Sequence, residues 1–435
     1  MNNLRTFPRN RYFPIALSLL ATIAILLIVR GSQTPLSKPR SLNPRQASLQ
    51  KELAFYQAKV QQNPTSGLEL AALAAAYWRL GKATGDVSWY LLAEQTANRS
   101  IAQSPVAKDS ASLILAQVAQ AKHDFKQAES IAKTVLQTKP NSDEAKSILI
   151  TCYLATGRLK EAEVLVKPLV DKLPNLGNFT LQGLVEDAQG KTSAAKTFQF
   201  GLEVEERGEE AASAQTRVLL GRHFYHHGQI DRAHELYTKA LTLVPNYPLA
   251  LLYLAALETQ RGNYDQANRY YNQLAEDHKG TPNVYDHTIL RGQARIKQLQ
   301  NQSPDALLQQ AENLLRQDSE FGHRRELAQL LLDRAQNQDV KEALTLMEAE
   351  VKVRQDATTM AVFARALRLN NRLPEAREAM KQALNSGIQQ VSFFQQAAQI
   401  EQALGNSNGA NAYQTKAKQL DPTFDAAKQL SLDTL

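Results

Sequence analysis

A repeat of 34 residues is the feature that most constrains what this chain can fold into. Two stretches that begin at residues 219 and 253 align without a gap, so that Gly228 matches Gly262 and Tyr237 matches Tyr271. A fixed period of this length indicates an array of small units. Such a unit cannot bury its apolar face alone, so we expect neighbouring units to stack into a solenoid.

The unit from 214 to 247 shows why these residue types recur. Gly221 puts a small residue on the inner face of a first helix, which lets a second helix approach closely. Gly228 is predicted to end that helix, because glycine enters the left-handed conformation without steric cost. Asp231 is predicted to cap the second helix, and Tyr237 is predicted to be buried on its inner face.

Helix-turn-helix units of this length, with small, aromatic and proline positions in register, resemble tetratricopeptide repeats. The resemblance implies an all-α fold, a solenoid of paired helices. We place it over residues 51–435, with clear units at 109–142, 143–176, 214–247, 248–281, 357–390 and 391–424, and weaker units at 67–107, 176–210, 283–318 and 324–355.

The N-terminus has a different pattern. Residues 1–11 form a basic tail, and an uncharged run of 18 residues from Tyr12 to Val29 is near the lower limit for crossing a bilayer. We predict a transmembrane signal-anchor helix over 12–30 and a linker rich in proline and serine over 31–50. A cleaved signal peptide and a buried helix are the alternatives; the run lacks the small residues of a cleavage site.

The charges on the two sides of this span do not by themselves determine its orientation in the membrane. Three arginines precede it, and Arg30, Lys38, Arg40 and Arg45 follow it, so counting alone slightly favours a cytoplasmic repeat domain. A short basic tail followed at once by an apolar core is, however, the pattern of an exported signal anchor. We therefore expect a single-pass membrane protein whose repeats lie outside the cytoplasm, in a periplasm-type location.

The net charge of +7, with a pI near 9.2, first suggests nucleic acid or an anionic membrane as a partner. Residues 1–51 carry +8 and no acid, so the remaining 384 residues total −1. The repeats are nearly neutral, and the basic segment is the one that would meet lipid headgroups. We expect no nucleic-acid partner.

No sequence pattern supports catalysis. The chain has no G-x-x-x-x-G-K-[ST], G-x-G-x-x-G, G-x-S-x-G or H-E-x-x-H motif, so we expect no enzyme activity and no cofactor. Its one cysteine, Cys152, excludes a thiolate-rich metal site and is predicted to be small and buried. His223 and His227 share a helix face; we interpret the cluster as an exposed helix end and expect no metal there, and the alternative interpretation is half of a metal site.

The resemblance also implies protein binding, because arrays of this family display first-helix side chains on a concave groove that takes peptides or partner elements. Some members grip a C-terminal carboxylate with a Lys and an Asn; this chain has Val218 and Arg222 at one such pair of positions, so that clamp is not expected. The predicted groove residues are Gln117, Thr151, Leu154, Leu184, Arg222, Tyr225, His226, Leu252, Arg365 and Arg368.

Together these features predict a membrane-anchored scaffold or assembly factor that binds partner proteins or peptides through its groove. The chain resembles bacterial anchored repeat proteins that help to assemble envelope or respiratory complexes, although it lacks the cysteine-rich metal module of the lipopolysaccharide assembly proteins. Two alternatives stay open: a secreted peptide-binding module after signal cleavage, and a metal-dependent protein that uses the cluster from His223 to His227.

Overall fold

The structure, a computed structural model, describes residues 44–104, 108–278, 280–317 and 323–425. This part of the chain contains 21 α-helices and one isolated β-bridge. The helices are α1 Pro44–Gln62, α2 Gly67–Thr84, α3 Val87–Gln103, α4 Lys108–Ala121, α5 Phe125–Thr138, α6 Asp143–Ala155, α7 Leu159–Lys172, α8 Leu176–Ala188, α9 Ala194–Glu203, α10 Glu210–His226, α11 Ile230–Leu243, α12 Pro248–Arg261, α13 Tyr264–Asp277, α14 Asp286–Leu299, α15 Asp305–Gln317, α16 Arg324–Arg334, α17 Asn337–Glu350, α18 Ala357–Leu369, α19 Leu373–Asn385, α20 Val391–Ala403 and α21 Ser407–Leu420.

After α1 the helices form antiparallel pairs, each made of an even-numbered first helix and the odd-numbered second helix that follows it. One pair lies in or close to each unit expected from the sequence. The apolar core follows the pairs as a series of clusters instead of forming one centre. The all-α solenoid is thereby confirmed for the described residues.

A small residue on the first helix sets the distance to the second. A Cβ atom at Gly221 would lie 2.5 Å from Cε1 of Tyr237, and one at Gly183 would lie 2.7 Å from Cδ1 of Phe198. Tyr237 and Phe198 are completely buried, which confirms the prediction for Tyr237. Gly228 adopts a φ of +71° after α10, as predicted. These glycines let the aromatic rings fill the space between paired helices.

Two local predictions are wrong. Asp231 does not cap α11, because the helix begins at Ile230 and Gln229, two residues before Asp231, occupies the cap position without a side-chain hydrogen bond. Asp231 instead lies in the first turn, where its negative charge interacts favourably with the positive end of the helix dipole. The linker predicted over 31–50 ends too late: α1 begins at Pro44, a residue favoured in the first turn of a helix.

The predicted tail 1–11 and the predicted span 12–30 lie outside the described residues. Within the described ranges, no helix combines the length and the apolar character that a membrane crossing requires.

The solenoid winds back onto itself. The connection after α2 meets the segment before α14: the Val284 N–H donates to the Gly85 carbonyl at 3.0 Å. The Asn283 side-chain amide donates to the Thr84 carbonyl at 2.8 Å, across 199 residues of sequence. The first pair therefore contacts the seventh, and six pairs complete one winding.

The following pairs repeat this contact with the same offset. The Ala155 carbonyl accepts the N–H groups of Gln355 and Asp356, at 2.9 and 3.1 Å. A Cβ atom at Gly190 would lie only 1.9 Å from the Gly387 carbonyl oxygen, so these two backbones touch. We call this row of contacts the seam; it joins the connections at 84–86, 123, 155–157, 189–190 and 228 to the segments 282–285, 323, 355–356, 387–388 and 420–421.

Candidate functional site

The six pairs from α2 to α13 form the first winding, and the pairs from α14 to α21 belong to the second. A cavity of about 1320 Å³ lies between the first helices of these two windings. On one side it is lined by the C-terminal halves of α2, α4, α6, α8 and α10. On the other side it is lined by the segments that begin α14, α16, α18 and α20. The walls of the cavity therefore cross the seam. A concave space of this size, with mixed apolar and polar walls, is the main candidate binding site in the described part of the chain.

The structure brings most of the predicted groove residues to this cavity. Six side chains line it, and all six are partly exposed. They come from four first helices in succession, which is how a groove is built from stacked repeats. The six residues are Gln117, Thr151, Leu154, Leu184, Arg222 and His226.

Four predicted groove residues lie elsewhere. Tyr225 and Leu252 are only 8% and 1% exposed and belong to the apolar core, so their assignment to the groove is wrong. Consecutive helical residues are turned by about 100°, so Tyr225 points away from the face on which His226 lies. Arg365 and Arg368 lie near the C-terminal end of α18 and do not line the cavity. The Arg365 guanidinium instead donates to Asp333 at 2.7 Å and to the Leu332 carbonyl at 2.9 Å.

A hydrogen-bonded pair sits on the first-winding wall. Nδ1 of His223 lies 2.7 Å from Oδ1 of Asp187, on the neighbouring first helix. Burial alone would raise the pKa of Asp187, but the hydrogen bond from His223 and the charges of Arg222 and His226 lower it below its usual value. Asp187 therefore stays ionised and holds the His223 ring in place.

The histidine cluster is not the exposed helix end that the sequence suggested. His223 is buried, and its ring lies 4.2 Å from the ring of His227. Nδ1–H of His227 donates to the His223 carbonyl at 2.7 Å, and burial lowers the pKa of His227. In the described ranges, no three His, Cys, Asp or Glu side chains are grouped so that they could hold a metal ion.

The opposite wall carries buried charges that the repeat pattern did not indicate. Arg325 and Glu326 are 1% and 2% exposed and pair at 2.9 Å. Burial alone would raise the pKa of Glu326, but Arg325 and the nearby His123 and His323 hold it well below its usual range. Burial and the neighbouring His323 lower the pKa of His287 to about 3, which keeps that ring neutral.

Histidine and aromatic side chains are concentrated here. Six of the eight histidines of the chain line the cavity: His123, His223, His226, His227, His287 and His323. Three cations on the walls lie over aromatic rings that also face the cavity, at 4.9 to 5.8 Å: Arg232 over Phe224, Lys82 over Trp78 and Arg354 over Phe125. Such walls offer flat apolar surface beside positive charge, which suits binding of a polypeptide segment.

Sequence reasoning missed the second-winding residues for a physical reason. A single repeat reveals which face of a first helix is concave, but it does not reveal which distant segment lies opposite. The side chains from His287, His323 and Asp356 reach the cavity because six pairs complete a winding, a property of the whole array.

Comparison with known proteins agrees with the repeat architecture. A sequence profile described as tetratricopeptide repeat matches residues 119–184 and 224–286. No curated protein matches the sequence.

Two solved structures are similar to this chain. A crystal structure of the APC/C hetero-tetramer Cut9-Hcn1 is 13% identical, with a TM-score of 0.36 over 88% of this chain and 92% of that chain. A monomeric mutant of IFIT1 with m7Gppp-AAAA is 17% identical, with a TM-score of 0.36 over 77% of this chain and 67% of that chain. The profile match identifies tetratricopeptide repeats over residues 119–184 and 224–286, and similar helix pairs occupy the other described residues from α2 onward.

Proposed function

We propose that this chain is a scaffold or assembly factor that holds a segment of a partner protein in the cavity. The observation that carries the proposal is the convergence of six predicted groove residues on one cavity of about 1320 Å³. A volume of this order accommodates several residues of an extended chain or one turn of helix with its side chains. The walls offer apolar surface, cations and amide side chains. We propose that the cavity binds a partner segment without catalysis.

The test is capture of partners from membranes by the intact protein. Leu154→Arg places a charge in the cavity, and Val164→Arg places the same charge on an exposed position, 71% accessible, of the adjacent helix α7. We expect Leu154→Arg to lose the captured proteins and Val164→Arg to retain them. Thermal unfolding of both variants separates loss of binding from loss of fold. Unchanged capture by a folded Leu154→Arg protein would remove the cavity as the binding site.

The membrane anchor is a second part of the proposal, and it rests on the uncharged run within residues 12–30. A protein with this anchor stays in the membrane pellet after alkaline extraction, and its mature N-terminus precedes residue 12. N-terminal sequencing that finds a start near residue 31 would instead support the secreted module.

The location of the repeats outside the cytoplasm needs its own measurement. Alkaline phosphatase fused after residue 425 is active only when it is exported, so an active fusion is the expected result. An inactive fusion with a normal amount of protein would place the repeats on the cytoplasmic side.

A further inference from the structure

We propose that the seam is a gate: the two windings separate to admit the partner segment and close again over the cavity. The proposal rests on the proposed function of the cavity, and it adds how that cavity is reached. It follows from three properties of the seam, namely how it is joined, how few apolar contacts it has and what it covers.

The seam is joined by groups that helix ends leave without partners. The last carbonyls and the first N–H groups of a helix have no hydrogen bonds within it. In the seam the Ala155 carbonyl at the end of α6 accepts the N–H groups of Gln355 and Asp356, which precede α18. First helices of the two windings are thus stacked end to end, with opposite ends of their dipoles facing each other. In the closed state these contacts therefore fix which first helix of one winding faces which first helix of the other.

The seam has fewer apolar contacts than the interfaces that join neighbouring pairs. Within the described residues, no apolar cluster combines side chains from the two sides of the seam. Its contacts include backbone hydrogen bonds, the Asn283 amide and glycine against glycine. Three ring contacts also cross it: the Tyr285 ring against Gly85, the His123 and His323 rings with centres 6.3 Å apart, and the Arg354 guanidinium 5.8 Å from the ring centre of Phe125. Net free energies of such polar contacts are small compared with apolar burial, so the windings separate more easily than the pairs do.

The seam covers the cavity. Residues from both of its sides, Gly157 with Gln355 and Gly190 with Ile388, line the same space. Separation of the windings therefore widens the cavity along its length. The pairs of each winding stay intact during this motion, because their apolar clusters lie within one winding or between consecutive pairs.

The chain offers matched variants for testing the gate. Gly190 and Gly262 both follow first helices with φ above +60°, so a side chain strains the backbone at either position. A Cβ atom at Gly190 would lie 1.9 Å from the Gly387 carbonyl oxygen, whereas one at Gly262 has nothing within 4 Å. Gly190→Val therefore adds a clash in the seam to the strain that Gly262→Val carries alone.

The first readout is the size of the protein in solution. By small-angle scattering, we expect a larger maximum dimension for Gly190→Val than for the parent protein, with unchanged helix content by circular dichroism. Gly262→Val is expected to keep the dimensions of the parent protein.

The second readout is access to the cavity. In a Thr151→Cys background, a maleimide on a long polyethylene glycol chain reports whether a large molecule reaches the cavity wall. Labelling of residue 151 is expected to be about tenfold faster with Gly190→Val and unchanged with Gly262→Val, which corresponds to a modest shift toward the open state. Equal labelling rates and equal dimensions in the two variants would overturn the gate.

The native Cys152 distinguishes opening from unfolding. It is completely buried in the cluster between α4 and α7, and burial raises the pKa of its thiol to about 11. Cys152 stays unlabelled when the windings separate and reacts when the pairs unfold. If Cys152 reacts in Gly190→Val, the same measurements are made on a milder pair of variants, Gly157→Ala and Gly405→Ala. A Cβ atom at Gly157 would lie 2.9 Å from the Gln355 carbonyl oxygen, whereas one at Gly405 has no atom within 4 Å.

These measurements need no partner, so they separate the two proposals. A seam that does not open leaves the capture experiment with Leu154→Arg unaffected. If the capture experiment shows that partners do not bind in the cavity, the labelling result is unaffected. The windings would then still separate, but not to admit a partner segment.

Discussion

At the scale of single residues, the aromatic ring of Tyr237 is the best test of how a pair is held together. The ring is completely buried against Gly221, and its hydroxyl makes no hydrogen bond in the described residues. We expect Tyr237→Ala to lower the free energy of unfolding by about 3 to 5 kcal/mol, the usual range for removing a buried aromatic side chain. We expect Tyr237→Phe to change it by less than about 1 kcal/mol, because no hydrogen bond is lost. Urea unfolding of both variants measures this; a neutral Tyr237→Ala variant would contradict the placement.

His287 predicts how stability depends on pH. Its pKa is lowered to about 3 in the folded chain by burial and by the charges of His323, Arg291 and His123, while Glu326 acts in the opposite direction. Because the unfolded chain binds a proton below its ordinary pKa near 6.5, stability is lost as the pH falls from that value toward 3. Between pH 7 and pH 5 we expect His287→Gln to lose about 2 kcal/mol less than the parent protein. Equal losses in urea unfolding at the two pH values would show that His287 does not carry this dependence.

Burial of single residues could be predicted where the repeat assigns them to an inner face. The sequence predicts that Tyr237 and Cys152 are buried, and both are. It assigns Tyr225 and Leu252 to the groove because their helices face it. Each helix also has a face against its neighbours, and the local sequence alone does not fix the rotation that separates the two faces.

At the scale of helices, Asp356 is the cap that links a repeat to the seam. Its carboxylate accepts the Thr359 N–H at 3.0 Å, the Thr359 hydroxyl at 2.8 Å and Nε–H of Arg354 at 2.6 Å. Burial alone would raise the pKa of Asp356, but Arg354 and Arg325 lower it to about 2. Its stabilising effect is therefore present above the ordinary pKa near 3.8 and lost as the pH falls toward 2.

Removal of this cap has a predicted size. We expect Asp356→Ala to lower stability by about 2 to 3 kcal/mol, because a cap and a buried ion pair are lost together. Ser142→Ala removes a cap of α6 whose hydroxyl accepts one hydrogen bond from the Ala145 N–H at 3.2 Å, and it is expected to cost about 1 kcal/mol. Thermal unfolding at neutral pH compares them; a smaller loss for Asp356→Ala than for Ser142→Ala would contradict the role of the ion pair.

The helix pairs themselves could be predicted because glycine, proline and small residues recur at fixed positions. The exact caps could not. Asp231 has the right chemistry for a cap but lies two residues beyond the cap position that Gln229 occupies. A shift of two residues costs little when the helix is held by its apolar face, so the pattern does not fix the helix start.

At the scale of the whole molecule, the seam sets the limit of sequence-based prediction. The rotation from one pair to the next is small, and the position of the seventh pair depends on the sum of six such rotations. No single repeat encodes that sum. The sequence therefore predicts a concave face but not its second wall, and it is the second wall that brings His287, His323 and Glu326 into the cavity.

The nearly neutral charge of the repeats agrees with a site that acts through local contacts. Six of the eight positive charges of residues 1–51 precede α1, in the segment proposed to meet the membrane, whereas Arg45 and Lys51 lie in α1. The remaining 384 residues total −1. The Asp187 carboxylate is hydrogen-bonded to His223 on the neighbouring first helix, and Arg325 is paired with Glu326 next to the seam. Specificity is thus expected to come from the shape of the cavity and the order of its side chains, with weak dependence on salt.

The central claim, that a partner segment lies in the cavity, is tested most directly by photo-crosslinking in native membranes. A photoreactive amino acid is placed at Leu154 on the cavity wall in one variant and at the exposed Val164 in another. The account predicts a discrete crosslinked partner from position 154 and none from position 164. Crosslinks from position 164 with none from position 154 would show that partners bind the outer surface, and would contradict it.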